Sequence, residues 1–223
     1  MLKYFKSMIL SLVALLLCVN VFATSSEDIC KLAEKLKIES EQLQSLLTSD
    51  DGKKGLVPLT EDYENFYLEL FSNEDNAEHM KYYGNGNLST KERAQKIFEW
   101  RLSRIWDSEI PSSLSFIIMN ENKPVGFVGV GPLNSTDSQP EIGRVIDKKV
   151  SGKGLGTFSA QTIVRLLQYL KNAGIYNYTC LISTSKPENL ASRKSIMKAG
   201  FVTGEKIVEN NFGHEKIYKY EFK

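Results

Sequence analysis

The sequence predicts one mixed domain of α and β structure over residues 55–223, preceded by a short helical extension and linker (24–54) and an N-terminal export segment (1–23). Three observations carry this. From residue 55 onward, strand-like and helix-like apolar patterns alternate along the chain. Two of the strand-like runs, SLSFIIMN and PVGFVGVG, are separated by ENK, the length and composition of a hairpin connection. A long run, TFSAQTIVRLLQYLKNAG, places Ala160, Ile163, Val164, Leu167 and Leu170 on one helical face and ends at Gly174, a helix stop.

The first element is not globular. MLKYFKS carries Lys3 and Lys6 and no acid, MILSLVALLLCV (8–19) is apolar, and NVFATSSED offers Val21 and Ala23 as small-x-small residues. Basic flank, short apolar core and small-residue exit form a secretory signal peptide, cleaved near Thr24, so the domain is expected in the periplasm or secreted. The apolar run is shorter than the roughly 20 residues that span a bilayer comfortably. An uncleaved anchor over 8–23 is the alternative, and LLLC lacks the small residues expected before a lipidated Cys18. Membrane contact is expected only through this segment.

SSEDICKLAEKLKIESEQLQSLL has apolar residues at 29, 32, 36 and again at 43, 46, 47, a helix broken near Ile38; TSDDGKKG then reads as a linker. GLVPLT is a strand. EDYENFYLELFS is a helix with Phe66, Leu70 and Phe71 on one side. STKERAQKIFEWRLSRIW opens with the capping box Ser89-x-x-Glu92 and carries Ala94, Ile97, Phe98, Leu102 and Ile105 inward. After the hairpin, EIGRVI and IYNYTCLIS are strands on either side of the long helix. A helix from Ser185 to Gly200 starts with the box Ser185-x-x-Glu188, and strands near 202–209 and 214–222 close the chain.

Composition removes several functions. A formal net charge of +1 gives no field for nucleic acid. Two histidines far apart in sequence, and three cysteines without a CxxC, offer no metal-ligand spacing. Cys30 and Cys180 either pair or stay free.

VSGKGLGT (150–157) lies between a strand and a helix, where successive N–H groups and the positive helix end hold anions. It fails the Walker pattern, because Gly156 is followed by Thr157, and fails GxGxxG, because position 159 is Ser159. On its own it reads either as a phosphate cradle or as a plain strand–helix turn. Lys148, Lys149 and Lys153 are candidate phosphate contacts or a solvated loop.

Taken with PENLASRKSIMKAGF (187–201), EIGRVIDKKVSGKGLGT (141–157) resembles the GCN5-related N-acetyltransferases (GNAT), specifically the RimJ/RimL-like branch. The resemblance covers roughly 55–223 and takes in LVPLTEDYENFYLELF and MKYYGNGNLSTKERA, which look like the branch's first strand, first helix and acceptor-side loop. It implies an α+β fold with a twisted, mostly antiparallel sheet, a splayed parallel strand pair and flanking helices, and acetyl-CoA as co-substrate. The backbone of Val145 and Ile146 would pair with pantetheine. The amides of Ser151, Gly152, Lys153, Gly154, Leu155 and Gly156 would cup the pyrophosphate. Asn189 would bond the pantetheine arm. Ser192 would sit near the thioester sulfur, and Glu141 would be the catalytic or water-holding carboxylate. Two positions depart from the family pattern: Ser151 stands where relatives carry arginine or glutamine, and Ile196 where many carry a tyrosine acid. The implied function is acetyl transfer to a primary amine, a protein N-terminus or a small molecule. The alternative is an exported, non-catalytic module of the same fold that binds a CoA-like ligand or a protein partner. Glu141 also reads as a cross-strand pairing residue, Asn189 as a first-turn helix residue and Ser192 as a solvated hydroxyl.

Overall fold

The structure, a computed structural model, describes residues 26–83, 86–134, 139–210 and 213–222; the export segment expected over 1–23 lies outside them, as do Gly84 and Asn85 of the acceptor-side loop. Seven strands form one sheet in the order β1-β2-β3-β4-β5-β7-β6. They are β1 (Lys54–Pro58), β2 (Leu114–Asn120), β3 (Lys123–Gly131), β4 (Glu141–Ile146), β5 (Cys180–Ser185), β6 (Val202–Asn210) and β7 (Gly213–Glu221). Every neighbouring pair is antiparallel except β4 and β5. The helices are α1 (Ser26–Leu36), α2 (Ser40–Leu47), α3 (Glu64–Ser72), α4 (Ala77–Met80), α5 (Lys91–Trp106), α6 (Leu155–Asn172) and α7 (Leu190–Lys198). The expected α+β class is what the chain adopts.

The hairpin forms because Glu121 and Asn122 both adopt positive φ, 49° and 62°, a two-residue turn whose twist matches the strands it joins. β2 is buried from Leu114 to Met119, as befits a central strand covered on both faces. On one face Tyr67 and Phe71 of α3, Phe98 of α5 and Phe127 of β3 form an aromatic cluster, with ring centroids 4.5–5.8 Å apart. On the other, α6 buries all five residues expected inward, together with Leu155 and Leu166. The extension shares this core. Its break after Leu36 falls at Lys37, φ 54°, and Ile29, Leu32, Leu36, Leu43 and Leu47 are all buried. Gly174 (φ +72°) and Gly200 (φ +97°) end α6 and α7, with the bonds Ile175 N–H to Leu170 C=O and Phe201 N–H to Ile196 C=O.

Three boundaries differ from the sequence reading. Thr90, not Ser89, caps α5, its hydroxyl accepting from the Arg93 N–H. Residues 175–179 are not strand, because Tyr176 and Tyr178 are buried with their hydroxyls bonded to the carbonyls of Pro111 and Leu167, each at 2.7 Å. Ser185 closes β5, and α7 starts only at Leu190 with Asn189 as its cap.

β4 and β5 touch at one register pair, Glu141 with Ile182, beside the bond from the Ile182 N–H to the Pro140 C=O. Beyond it the two strands diverge. Their divergence opens the middle of the sheet.

Candidate active site

The open edge belongs to alternate residues of β4. The Asp147 N–H donates to the Val125 C=O at 2.9 Å, and the register pairs Val145 with Phe127 and Ile146 with Gly126. Hydrogen-bonded pairs alternate in an antiparallel ladder, so Val145 turns its N–H and C=O to β3, while Arg144 and Ile146 turn theirs to the gap. The expected pairing edge of Val145 and Ile146 is thus corrected to Arg144 and Ile146. His79 of α4 covers part of it, its Nδ1 lying 3.1 Å from the Ile146 C=O; a carbonyl only accepts, so Nδ1 carries the proton there.

The glycine loop follows at once. Asp147 caps a single 3₁₀ turn, Lys148–Val150, accepting from the Lys149 N–H. Gly152 and Gly154 hold φ of +80° and +77°, a conformation costly for any residue with a Cβ. A Cβ on either would meet nothing within 4 Å, so the space above the loop is open. Gly154 is the N-cap of α6 and brings no side chain to its amides. The N–H groups of Leu155 and Gly156, in the first turn, have no intrahelical partner. The Ser151 N–H instead bonds back to the Lys148 C=O at 3.2 Å, so the amide cradle runs from Gly152 to Gly156 and excludes Ser151. This donor set, amide N–H groups at a helix N-terminus under open space, fits a diphosphate.

Across the gap, Asn189 accepts the Ser192 N–H at 3.0 Å and caps α7. Ser192 and Ser195 are part-buried in the first two turns. Arg144, which sequence reasoning missed, reaches over from β4: its Nη2 donates to Ser195 Oγ at 2.9 Å, to the Ser192 carbonyl at 3.3 Å and to Ser192 Oγ at 3.4 Å. With its oxygen accepting from the guanidinium, the Ser192 hydroxyl keeps its own proton for another acceptor. Desolvation lowers the Arg144 pKa to about 10. Only the bare residue type at 144 was visible in the sequence.

Glu141 stands at the base of the splay, exposed, and accepts from Thr184 Oγ1 at 2.6 Å and from the Thr184 N–H at 3.3 Å. Side chains alternate along a strand, so Glu141 shares its face with Gly143, where a Cβ would lie 3.6 Å from the Tyr83 hydroxyl. Arg101 lies beside it, its nitrogens on the hydroxyls of Tyr67 and Tyr83 at 3.2 and 3.4 Å and its guanidinium 4.6 Å above the Phe127 ring. The structure therefore brings Glu141, Ile146, Gly152–Gly156, Asn189 and Ser192 around one gap. Lys148 and Lys149 face elsewhere, paired with Glu78 at 3.2 Å and Asp75 at 3.4 Å. Among the described residues no cluster suited to a metal ion occurs, and Cys30 and Cys180 are both free.

No curated protein sequence matches the chain. Among solved structures, RimL, a ribosomal L7/L12 alpha-N-protein acetyltransferase in complex with coenzyme A, is similar at a TM-score of 0.64 and 13% identity, over 79% of this chain and 98% of that one. The microcin C7 self-immunity acetyltransferase MccE, in complex with acetyl-CoA and AMP, is similar at 0.63 and 16%, over 78% and 94%. RimJ of Mycobacterium smegmatis, in complex with CoA-disulfide, is similar at 0.62 and 16%, over 78% and 85%. At identities this low the TM-scores show a shared fold alone. The sequence itself matches the family profile described as acetyltransferase (GNAT) domain over residues 55–202, about two thirds of the chain. The chain belongs to the GNAT acetyltransferases, a family that takes acetyl-CoA as co-substrate.

Proposed function

We propose that this chain transfers the acetyl group of acetyl-CoA directly to a primary amine, a protein N-terminus or a small molecule, within a ternary complex, and that it does so outside the cytoplasm after export. The observation that carries the reading is the uncapped amide cradle Gly152–Gly156 set against the edge of β4 that β5 leaves open, where His79 covers only the Ile146 carbonyl. The cradle's amides hold the diphosphate, and the edge of Arg144 and Ile146 pairs with the pantetheine amides as an added strand would. An N–H on that edge is the donor for the thioester carbonyl oxygen as charge builds there.

Glu141 and Ser192 divide the proton work. An α-amine has a pKa of about 8 and arrives largely protonated near neutrality. Glu141 accepts that proton, directly or through one water, while Thr184 fixes the carboxylate from its other side. The neutral nitrogen then attacks the acetyl carbon to give a tetrahedral intermediate. As it collapses the carbon–sulfur bond breaks, the nitrogen's second proton passes through water to the departing sulfur, and the Ser192 hydroxyl donates a hydrogen bond to that sulfur while it is a thiolate. Asn189 holds the first turn of α7, and with it Ser192, at this distance from β4.

A second reading is kept for one feature of the sequence. The signal segment MLKYFKSMILSLVALLLCV sends the protein away from the cytoplasmic pool of acetyl-CoA, which favours a non-catalytic binding module of the same fold. Thiol release from acetyl-CoA, measured with a panel of peptides and small amines, separates the two. Acceptor-dependent release supports the enzyme. Tight CoA binding without release on any acceptor supports the module.

A further inference from the structure

We propose that Arg144 is the side-chain counter-ion for the diphosphate of bound CoA, an inference that rests on the acetyltransferase reading above.

Arg144 leaves β4 and enters the angle between the first turns of α6 and α7. On one side its Nη2 is held by Ser192 and Ser195. On the other its Nε lies 3.7 Å from the point where a Cβ would stand on Gly156, the second residue of α6. The uncapped first turn of α6 directs its positive end into this angle, whereas α7 offers a carbonyl and two hydroxyls. Two positive potentials meet there, and among the described residues no carboxylate pairs with the guanidinium. Among the described residues Nε and Nη1 have no hydrogen-bond partner, and neither is a sealed, unsatisfied polar atom. A part-buried charge without a counter-charge is unfavourable, and an anion arriving with the ligand removes that cost.

The other basic groups of the loop are set differently. Lys148 and Lys149 are held by Glu78 and Asp75, and Lys153 is exposed to solvent. Of the anions of CoA, the 3′-phosphate lies on the far side of the adenosine, which leaves the diphosphate and, after transfer, the thiolate as the groups able to reach the angle. The diphosphate is charged in every state of the cycle, and the amide groups beside Arg144 suit phosphate oxygens. A guanidinium fork matches phosphate in the same way.

The test compares Arg144→Met and Arg144→Lys with wild type in the purified full chain, by thermal melting without ligand and by calorimetry with three probes. These are CoA, desulfo-CoA (no thiol) and pantetheine (no diphosphate). The proposal expects Arg144→Met to melt at or above the wild-type temperature. It expects CoA and desulfo-CoA to bind about 10- to 100-fold more weakly, the range of one charged hydrogen-bonding partner, with pantetheine unchanged. Arg144→Lys keeps the charge without the fork and shows a smaller loss in the same pattern. If Arg144→Met does not fold, the Lys variant carries the comparison alone. Undiminished CoA affinity, equal weakening of CoA and pantetheine, or a loss with CoA that desulfo-CoA does not share would each overturn the proposal. Wild type that binds none of the probes would instead overturn the acetyltransferase reading, which keeps the two failures distinct.

Discussion

Two glycines at opposite ends of α6 make a matched pair of perturbations. Gly154 precedes the helix with φ +77° and Gly174 follows it with φ +72°, and a Cβ on either meets nothing within 4 Å. Replacing either with alanine forces an L-residue into the left-handed region at about 1–2 kcal/mol. Open space adds no steric term. For a chain of this size each kcal/mol lowers the melting temperature by roughly 2–4 °C, so both variants are expected to lose about 2–8 °C. Their ligand behaviour differs. The new methyl of Gly154→Ala stands in the space over the cradle and tilts the amides that define it, and CoA affinity is expected to fall about tenfold or more, about 1.4 kcal/mol. Gly174→Ala lies a full helix away and leaves CoA affinity unchanged. Melting curves and calorimetry on the pair separate backbone strain from ligand contact. Equal affinities in the two variants, high or low, would refute the cradle.

Glu141→Gln is expected to lower kcat by about 100- to 10,000-fold, the usual span for a general base, and to flatten the rising limb of the pH–rate profile. Ser192→Ala is expected to lower kcat about 100-fold, near the low end because water replaces a hydroxyl, with acetyl-CoA affinity intact; calorimetry beside steady-state rates reads the split. Alkaline stability follows from burial. Desolvation raises the pKa values of Tyr67, Tyr176 and Tyr178, so above pH ~10 the unfolded chain loses protons that the native protein retains. Stability contributed by these phenols is present below that pH and falls as the pH rises beyond it. Arg144, lowered to about 10, acts in the opposite sense, but one proton does not offset three. Phenolate absorbance is therefore expected to show Tyr67, Tyr176 and Tyr178 ionising only with unfolding. Mass spectrometry of protein recovered from cells is expected to find an N-terminus near Thr24; an intact Met1 on cytosolic protein would contradict export.

Much of the framework was legible because it is written in local periodicity. The face of α6 recurs every three to four residues, and the β2–β3 connection is short and polar enough to be a hairpin turn. The misread boundaries share a cause. A hydroxyl three residues before an acid, as at Ser89 and Ser185, does not by itself fix a helix start; Thr90 and Asn189, with no acid three residues on, hold the oxygen that accepts from the first turn. Pro187 and the strand pairing of Ser185 with Lys216 keep α7 from starting earlier. The assignment of Val145 to the open edge failed for a different reason. Which residues of β4 face the gap depends on the hydrogen-bond phase against β3, and the bond from Asp147 to Val125 sets that phase only in three dimensions. Arg144 was invisible as a site residue because its partners, Ser192 and Ser195, lie about fifty residues along the chain. The lysines of the loop looked available only while Asp75 and Glu78 were out of view.

Calorimetric titration of the purified protein with acetyl-CoA tests the central claim most directly. The geometry of the cradle and the open β4 edge predicts saturable one-to-one binding that weakens with rising salt as the phosphate charges are screened. Absence of any saturable heat under conditions where the protein is folded would contradict it.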